Sequence, residues 1–176
     1  RNDFLKYLIE FDRYKNLELS NYEHIISEKA EQQFSALTIK LNNDTAFISF
    51  SGTDATLIGF KEDFNMSFLD IIPSQVSAKK YINNKIYKKY KNLYLGGHSK
   101  GGNLSLYAGL TSEQIIYRKI KNIFNFDGPG LSHVINKPRY ANMQNKIITI
   151  IPNMSIVGMI FTDYNDSYVI ESYNQG

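Results

Sequence analysis

The chain has 176 residues, of which 43% are hydrophobic and 21% are charged, and this balance is that of a folded domain rather than a disordered segment. Its net charge of +3 is too small to indicate nucleic-acid binding by itself. Cysteine is absent, which excludes disulfides, a cysteine-based zinc site and a thiol nucleophile. Because such a chain suits a reducing compartment and no apolar run approaches the roughly eighteen residues of a membrane span, we predict a cytoplasmic protein.

The whole chain is predicted to form one domain, because no internal repeat, low-complexity tract or linker divides it. A chain of this length can bury a sizeable core. It begins at Arg1 rather than at methionine, and it stops at Gly176 directly after the letters NQ. We therefore expect residues 1–176 to be a single domain that is truncated at both ends.

The N-terminal third of the chain predicts a helical turn followed by a β-hairpin. Phe4, Leu8 and Phe11 are spaced for one face of a helix. The stretches FSALTIKL and AFISFS both alternate apolar and polar residues, and NNDT between them is typical of a turn. The apolar residues that share a side are Leu37, Ile39 and Leu41 in the first strand, and Ala46, Ile48 and Phe50 in the second.

From residue 73 onward the pattern alternates between helix and strand. A helix is predicted to start at Pro73, since proline suits a first helical turn. Strands follow at NLYLGG, KIKNIFNF and NKIITIIP, a helix at SKGGNLSLYAGL, and a final hairpin at VGMIFTDY and SYVIESY. This order predicts a mostly parallel sheet with helices on its faces and an antiparallel N-terminal edge. The helix that starts at Pro73 is predicted to face this sheet with Ala78, Ile82, Ile86 and Tyr90.

Residues 97–101 read Gly-His-Ser-Lys-Gly, a G-x-S-x-G pattern with a predicted strand before it and a predicted helix after it. A sharp strand-to-helix turn of this kind holds its serine in a strained conformation with an exposed hydroxyl, and its flanking positions pack against each other. The helix N-terminus directs N–H groups and partial positive charge at the same point. The pattern therefore predicts that Ser99 is a nucleophile. The alternative is a glycine-rich turn with a capping serine.

Four stretches of the sequence carry a resemblance to a known group of proteins. They are SGTDATLIGFKEDFNMSF, GGHSKGGNL, FDGPG and IPNMSIVGM, which follow one another between about residues 50 and 160. Together they resemble the class 3 lipases and, more narrowly, the bacterial family called Mbeg-like. The resemblance implies an α/β-hydrolase-like three-layer sandwich and the hydrolysis of acyl esters, with no metal and no cofactor.

Carried over position by position, the resemblance assigns roles to three residues. Ser99 is implied to be the nucleophile. Thr53 is implied to give an oxyanion hole its hydroxyl and N–H, and the backbone N–H of Lys100 is implied to complete that hole. Two such donors are typically worth several kcal/mol of barrier. For Thr53 the alternative is an ordinary turn residue.

The charged residues around Thr53 depart from the family pattern at one point. Ser51 stands where relatives usually carry arginine, which removes a supporting salt bridge to Asp54 or Asp63. The letters KED at positions 61–63 are typical of a charge cluster at a helix end, and we expect no chemistry from them.

The acid of a catalytic triad is less well specified by the sequence than the nucleophile. Triads of this fold run in the order serine, acid, histidine. Asp127 directly follows the strand IFNF, at the sheet edge where site residues gather, and is our predicted acid. A capping residue in the turn before Gly-Pro-Gly is an equally good interpretation. In class 3 lipases the acid follows the next strand, where this chain has Ser155. The other acids after the elbow are Glu113, Asp163, Asp166 and Glu171.

The chain has three histidines, and none is an obvious base. His133 follows Asp127 too closely for a residue that normally comes from a later loop. His98 points away from its neighbour Ser99 on such a turn, and His24 precedes the elbow. Relatives of the family carry a histidine just beyond the strand that resembles SYVIESYNQG. We therefore expect the catalytic histidine to lie beyond Gly176.

The predicted function is a serine hydrolase that cleaves an ester or thioester of a lipid-like acyl group through an acyl-enzyme. Its expected partner is a small-molecule or lipid substrate and not nucleic acid. The alternative is a catalytically incomplete, hydrolase-like module that binds a protein or a lipid. An apolar set, which is predicted to be either core or a lid over an acyl pocket, consists of Phe68, Leu69, Ile71 and Ile72. A basic set, which is predicted to be either a solvated helix face or a contact with an anionic membrane or nucleic acid, consists of Lys79, Lys80, Lys88 and Lys91.

Overall fold

A computed structural model describes residues 6–7, 9–54, 56–66, 68–131, 137–160 and 167–171. Within these residues one sheet contains seven strands, which lie side by side in the order of the chain. The strands are β1 (Glu18–Ser27), β2 (Gln32–Asn42), β3 (Thr45–Phe50), β4 (Asn92–His98), β5 (Ile120–Phe126), β6 (Ile147–Pro152) and β7 (Ser167–Ile170).

The helices connect the parallel strands. Two of them stand between β3 and β4, which gives the chain its longest crossover. The helices are α1 (Leu57–Met66), α2 (Pro73–Ile82), α3 (Lys100–Thr111), α4 (Gln114–Tyr117) and α5 (Lys137–Met143), and short 3-10 turns occupy Lys85–Lys89, Gln144–Lys146 and Val157–Met159. None of the helices in the described part of the chain is long and apolar enough to cross a membrane.

The type of pairing changes once across the sheet, at β3. β1, β2 and β3 pair antiparallel, and β3 to β7 pair parallel, which confirms the predicted mixed sheet with its antiparallel N-terminal edge. Strand β1 is absent from our prediction, because its residues ELSNYEHIIS are half polar and show no clean alternation. The predicted final hairpin is wrong: residues 157–159 form a 3-10 turn, and β7 pairs parallel with β6.

The core lies between one face of this sheet and helices α2 and α3. Ala46, Ile48 and Phe50 of β3 are almost fully buried there, as the predicted alternation requires. The same face of β2 presents Phe34 and Ala36, not the series Leu37, Ile39 and Leu41, which points to the opposite face. That opposite series is only partly buried, since no described helix covers it. In a half-polar strand, apolar count alone does not tell which side faces the core.

Helix α2 begins at Pro73 as predicted but ends earlier than the apolar spacing indicates. It stops at Ile82, where Asn83 and Asn84 follow, and the chain continues as a 3-10 turn. Asparagine competes with helical hydrogen bonds through its own side chain. Tyr90 nevertheless enters the core, with 2% of its surface exposed. The apolar spacing therefore predicts the burial of Tyr90 correctly and the length of the helix incorrectly.

Candidate functional site

The nucleophile candidate Ser99 lies in the turn between β4 and α3, and its backbone is strained. Its φ of 54° and ψ of −127° are unusual for a residue with a side chain. The flanking glycines explain why the turn can be so tight. A Cβ atom on Gly97 would stand 2.5 Å from the carbonyl oxygen of Phe50 and overlap the backbone of Gly101. The G-x-S-x-G pattern is therefore a packing requirement between β3, β4 and the first turn of α3.

The segment that follows β3 passes directly beside Ser99. A Cβ atom on Gly52 would stand 2.8 Å from the carbonyl oxygen of His98 and 3.6 Å from the Cβ atom of Ser99. Thr53 is the next residue, so its backbone N–H and hydroxyl are neighbours of the elbow. The Lys100 N–H occupies the first position of α3, where a helix leaves its N–H groups without an intrahelical partner. Both predicted oxyanion donors thus lie next to the serine.

The Thr53 hydroxyl is hydrogen-bonded to Asp63, a residue for which the sequence predicts no chemical role. Thr53 Oγ1 donates to Asp63 Oδ2 at 2.5 Å. Asp63 belongs to α1 and lines the same cavity as Ser99. Its other oxygen, Oδ1, is buried and has no hydrogen-bond partner among the described residues. Burial raises the pKa of the Asp63 carboxyl, against the lowering effects of its bond to Thr53 and of the nearby Lys100 ammonium.

A buried ion pair lies behind the elbow. The side chains of Lys100 and Glu62 are 1% and 0% exposed, and Lys100 Nζ lies 3.0 Å from Glu62 Oε2. Lys100 Nζ also donates to the backbone oxygen of Gln33 at 2.8 Å and to its Oε1 at 2.6 Å. Glu62 accepts from the backbone N–H of Gln33 at 3.0 Å and from that of Ser74 at 2.9 Å. Every polar atom of the pair is therefore engaged, and the pair joins α1, α2, α3 and β2.

Sequence reasoning missed this pair. The prediction of a helix-end charge cluster at positions 61–63 does not anticipate that Glu62 is fully buried while its neighbour Lys61 remains exposed. The one available signal is the reversed pattern of α1, in which Leu57, Phe60 and Phe64 carry the apolar bulk and point to solvent. A helix whose apolar residues share one side leaves its carboxylates on the other side, toward the protein.

Ser99 opens into a cavity of about 160 Å³. Apart from Asp63, Ser99 and Lys100 its walls are apolar, with Met66 of α1, Pro129 after β5, and Val157 and Ile160 after β6. Exposed apolar side chains continue outward from the two elements that form its rim. They are Leu57, Phe60, Phe64, Phe68 and Leu69 near α1, and Met154, Ile156, Val157 and Met159 after β6. The cavity is therefore shaped for an apolar group beside a hydroxyl.

The predicted acid Asp127 lies where β5 ends. Its φ is 52°, and its backbone N–H donates to the carbonyl oxygen of Ile150 at 2.9 Å. Ser155, which follows the next strand β6, donates its hydroxyl to Asp127 Oδ1. The Ser155 hydroxyl also accepts from the backbone N–H of Gly158 at 3.1 Å. The two strand ends thus share one polar contact, in which Asp127 supplies the carboxylate and Ser155 orients it.

The loop after Asp127 is fastened to the helix that carries the elbow. Asn103 of α3 donates to the backbone oxygens of Pro129 at 3.3 Å and Gly130 at 2.8 Å. Its own oxygen accepts from Gln75 at 2.8 Å, which links α2 to the same point. Asn103 is 1% exposed. This contact holds the loop that bears the acid candidate against the helix that bears the nucleophile candidate.

The remaining candidates do not meet Ser99 in the described part of the chain. His24 and His98 line a second cavity, a groove of about 570 Å³, which Gly52 and Thr53 also line but Ser99 does not. Glu113 precedes α4, and Glu171 is exposed after β7. His133, Asp163 and Asp166 lie outside the described residues. Within the described ranges no group of three or more histidine and acidic side chains could hold a metal ion.

The family model described as Mbeg1-like matches residues 8–176. No curated protein matches the sequence significantly. Among solved structures the chain is similar to M37 lipase, with a TM-score of 0.59 and 15% identity over 89% of this chain and 62% of that one. It is also similar to a fungal lipase in complex with an inhibitor, a structure described as a model for interfacial activation in lipases. There the TM-score is 0.55, with 15% identity over 81% of this chain and 60% of that one.

This likeness concerns the fold. At 15% identity it confirms the predicted α/β-hydrolase fold. The chain spans about 60% of the length of these two lipases.

Proposed function

The chain belongs to the Mbeg1-like family, and from that premise we propose that it is a serine hydrolase that cleaves a carboxylic ester or thioester of a lipid-like acyl group. The observation that carries the proposal is the strained Ser99 between two glycines, directly beside the Gly52–Thr53 segment. Strain of this kind persists only when the surrounding packing imposes it, and it is typical of a catalytic nucleophile.

In the proposed reaction, Ser99 Oγ attacks the acyl carbon and forms a tetrahedral intermediate. The negative charge that develops on the acyl oxygen is stabilised by the backbone N–H groups of Thr53 and Lys100 and by the Thr53 hydroxyl. The partial positive charge at the N-terminus of α3 adds to this stabilisation. Collapse of the intermediate expels the alcohol or thiol and leaves an acyl-enzyme on Ser99, which water then hydrolyses.

We propose Asp127 as the acid that orients the catalytic base. Its contact with Ser155 supports this role, because the Ser155 hydroxyl holds one oxygen of the Asp127 carboxylate at the carboxyl edge of the sheet. The base in this proposal is a histidine that reaches the carboxyl edge of the sheet. β7 runs parallel to β6, so the chain leaves it at the carboxyl edge of the sheet, where Ser99 and Asp127 lie. A histidine there accepts the Ser99 proton and later gives it to the leaving group.

The apolar cavity supports an acyl substrate. Met66, Val157 and Ile160 offer an apolar wall next to Ser99, and the exposed side chains of the rim extend that wall to the surface. Two proteins with a similar fold are lipases, which agrees with a lipid-like substrate. Since the chain contains no cysteine, we place the reaction in the cytoplasm.

The decisive experiment is labelling of the full-length protein with a fluorophosphonate, together with hydrolysis of p-nitrophenyl esters of increasing chain length. Wild type and Ser20→Ala, which alters a serine on the outer strand β1, should label and turn over alike. Ser99→Ala should do neither. The proposal fails if labelling and hydrolysis are the same in Ser99→Ala as in wild type.

A second candidate function is binding without catalysis. It is favoured by one observation: no histidine among the described residues lines the cavity that contains Ser99. A binding module would take up a fatty acid or an acyl-CoA with the same affinity in wild type and Ser99→Ala, and neither protein would hydrolyse the esters. The same two proteins therefore separate the two functions.

A further inference from the structure

The contact between Thr53 and Asp63 raises a question of proton supply. A threonine hydroxyl has one proton and two lone pairs. Thr53 Oγ1 and Asp63 Oδ2 are 2.5 Å apart, so one proton lies between them. If that proton belongs to Thr53, the hydroxyl points at the carboxylate and presents only lone pairs to an oxyanion. An acceptor at that position would repel the charge that the site must stabilise.

We propose that Asp63 works as a neutral carboxylic acid, whose O–H donates to Thr53 Oγ1 and leaves the Thr53 hydroxyl proton free for the oxyanion. Asp63 is then a positioning residue that acts through Thr53. The inference rests on the proposed function, since it concerns the state of its oxyanion hole. In this state Asp63 donates to Thr53 and Thr53 donates to the oxyanion, which accepts.

The surroundings of Asp63 favour the neutral form. An ionised carboxylate has two accepting oxygens, yet Oδ1 is buried and receives no hydrogen bond from any described residue. Leaving a charged acceptor in this state is costly. Burial accordingly raises the pKa of the carboxyl as the largest effect, and its hydrogen bond to Thr53 opposes it.

Two charged groups face Asp63 from the described elements. The Lys100 ammonium of α3 lowers the pKa of Asp63, and the Glu62 carboxylate of α1 raises it. These two groups are paired with each other at 3.0 Å, so their opposite effects on the pKa of Asp63 partly cancel. The pair therefore anchors α1 without forcing Asp63 to ionise.

The consequence is an alkaline limit on activity. Below the pKa of Asp63 the Thr53 hydroxyl is available to the oxyanion, and above it the hydroxyl turns to the carboxylate. A histidine base works in the opposite sense, because it must be neutral. The rate should therefore rise with pH as the histidine loses its proton and fall as Asp63 does, by about 10²- to 10³-fold for one lost oxyanion donor.

The test compares three variants of the full-length protein by the pH dependence of kcat/KM for p-nitrophenyl butyrate. Asp63→Asn carries an N–H that donates to Thr53 Oγ1 at every pH, so it should keep a rate near that of wild type and lose the alkaline limb. Asp63→Ala leaves Thr53 without support and should be slow throughout. Thr53→Val removes the hydroxyl and should be slow without an alkaline limb.

A second readout does not depend on activity. The infrared carbonyl band of a carboxylic acid, taken as the difference between wild type and Asp63→Asn, should persist above the pH at which exposed carboxylates ionise. It should vanish over the same pH range as the alkaline limb. The inference is overturned if that band is absent, if Asp63→Asn is as slow as Asp63→Ala, or if Asp63→Asn retains the limb. Ester hydrolysis that survives Ser99→Ala would instead refute the proposed function.

Discussion

The two halves of the candidate site are built on different principles. The nucleophile half, with Ser99 and the Gly52–Thr53 segment, is held by backbone atoms at distances that only glycine permits and by the buried Lys100–Glu62 pair. The acid half, with Asp127 and Ser155, places its carboxylate through one hydrogen bond between two partly exposed side chains, while Asn103 holds the loop that follows Asp127. The first half tolerates almost no change of geometry, whereas the second can exchange the strand that supplies its carboxylate.

A carboxylate could reach the acid position from either of two strands, whereas the nucleophile has only one possible turn. The strand ends after β5 and β6 are neighbours in a parallel pair, so a carboxylate on either one reaches the same point. The elbow has no such neighbour to replace it, because the strained serine, its flanking glycines and the N-terminus of α3 must coincide. Substitutions in the acid half should therefore lower activity, and substitutions of the buried pair in the nucleophile half should lower stability.

The largest expected effect is on the acid half. Asp127→Asn keeps the shape of the turn but removes the charge that would stabilise a histidinium, so kcat should fall by about 10⁴-fold. Glu113→Gln, an acid outside the site, is the matched control and should leave kcat unchanged. The thermal midpoint of Asp127→Asn should stay near that of wild type. If kcat also stays the same, Asp127 is only a turn residue and the proposed acid is wrong.

The next effect belongs to the nucleophile half and concerns stability. Lys100→Met leaves the Glu62 carboxylate buried without its cation, so the free energy of unfolding should fall by about 3–5 kcal/mol in denaturant titration. Lys91→Met is the matched control, because its partner Asp44 is at a similar distance of 2.6 Å but exposed. That variant should lose less than about 1 kcal/mol.

A double variant sharpens the stability comparison. Replacing both partners with apolar residues, as Lys100→Met with Glu62→Leu, removes the buried charge altogether and should recover part of the stability lost in Lys100→Met. A double variant that is no more stable than the single one would mean that the lost bonds to Gln33, and not the unpaired Glu62, cause the damage.

A smaller effect is expected from Ser155. Its hydroxyl fixes one oxygen of Asp127, and a hydrogen bond to a charged group is worth about 1.5–3 kcal/mol. Ser155→Ala should therefore lower kcat by about 10- to 100-fold with little change in KM. Ser155→Thr retains a hydroxyl and should recover much of the rate. Equal rates in wild type and Ser155→Ala would show that Asp127 needs no partner after β6.

The sequence predicts the nucleophile half well because its requirements are local. Two glycines at fixed spacing, a strand before them and a helix after them all stand within one short stretch, and Thr53 follows a strand whose alternation is clear. The other contacts join residues far apart in the chain. Glu62 meets Lys100, and Ser155 meets Asp127, only after the sheet has formed, and nothing in their local spacing announces a partner. Strand β1 is not predicted for the same reason, because it forms through its pairing with β2 although its own sequence is half polar.

The smallest expected effect concerns the pH dependence of stability, and it originates in the nucleophile half. The folded protein holds the pKa of Asp63 above its ordinary value of 3.8, chiefly because the carboxyl is buried. Between these two pKa values the folded state binds more protons than the unfolded state, so the contribution of Asp63 is present at low pH and is lost as the pH rises. Asp63→Asn cannot titrate. Its free energy of unfolding, measured by denaturant titration at a series of pH values, should therefore decline less steeply than that of wild type across this range. Parallel curves would mean that Asp63 has the same pKa in both states, and the site would then owe nothing to the burial of that carboxyl.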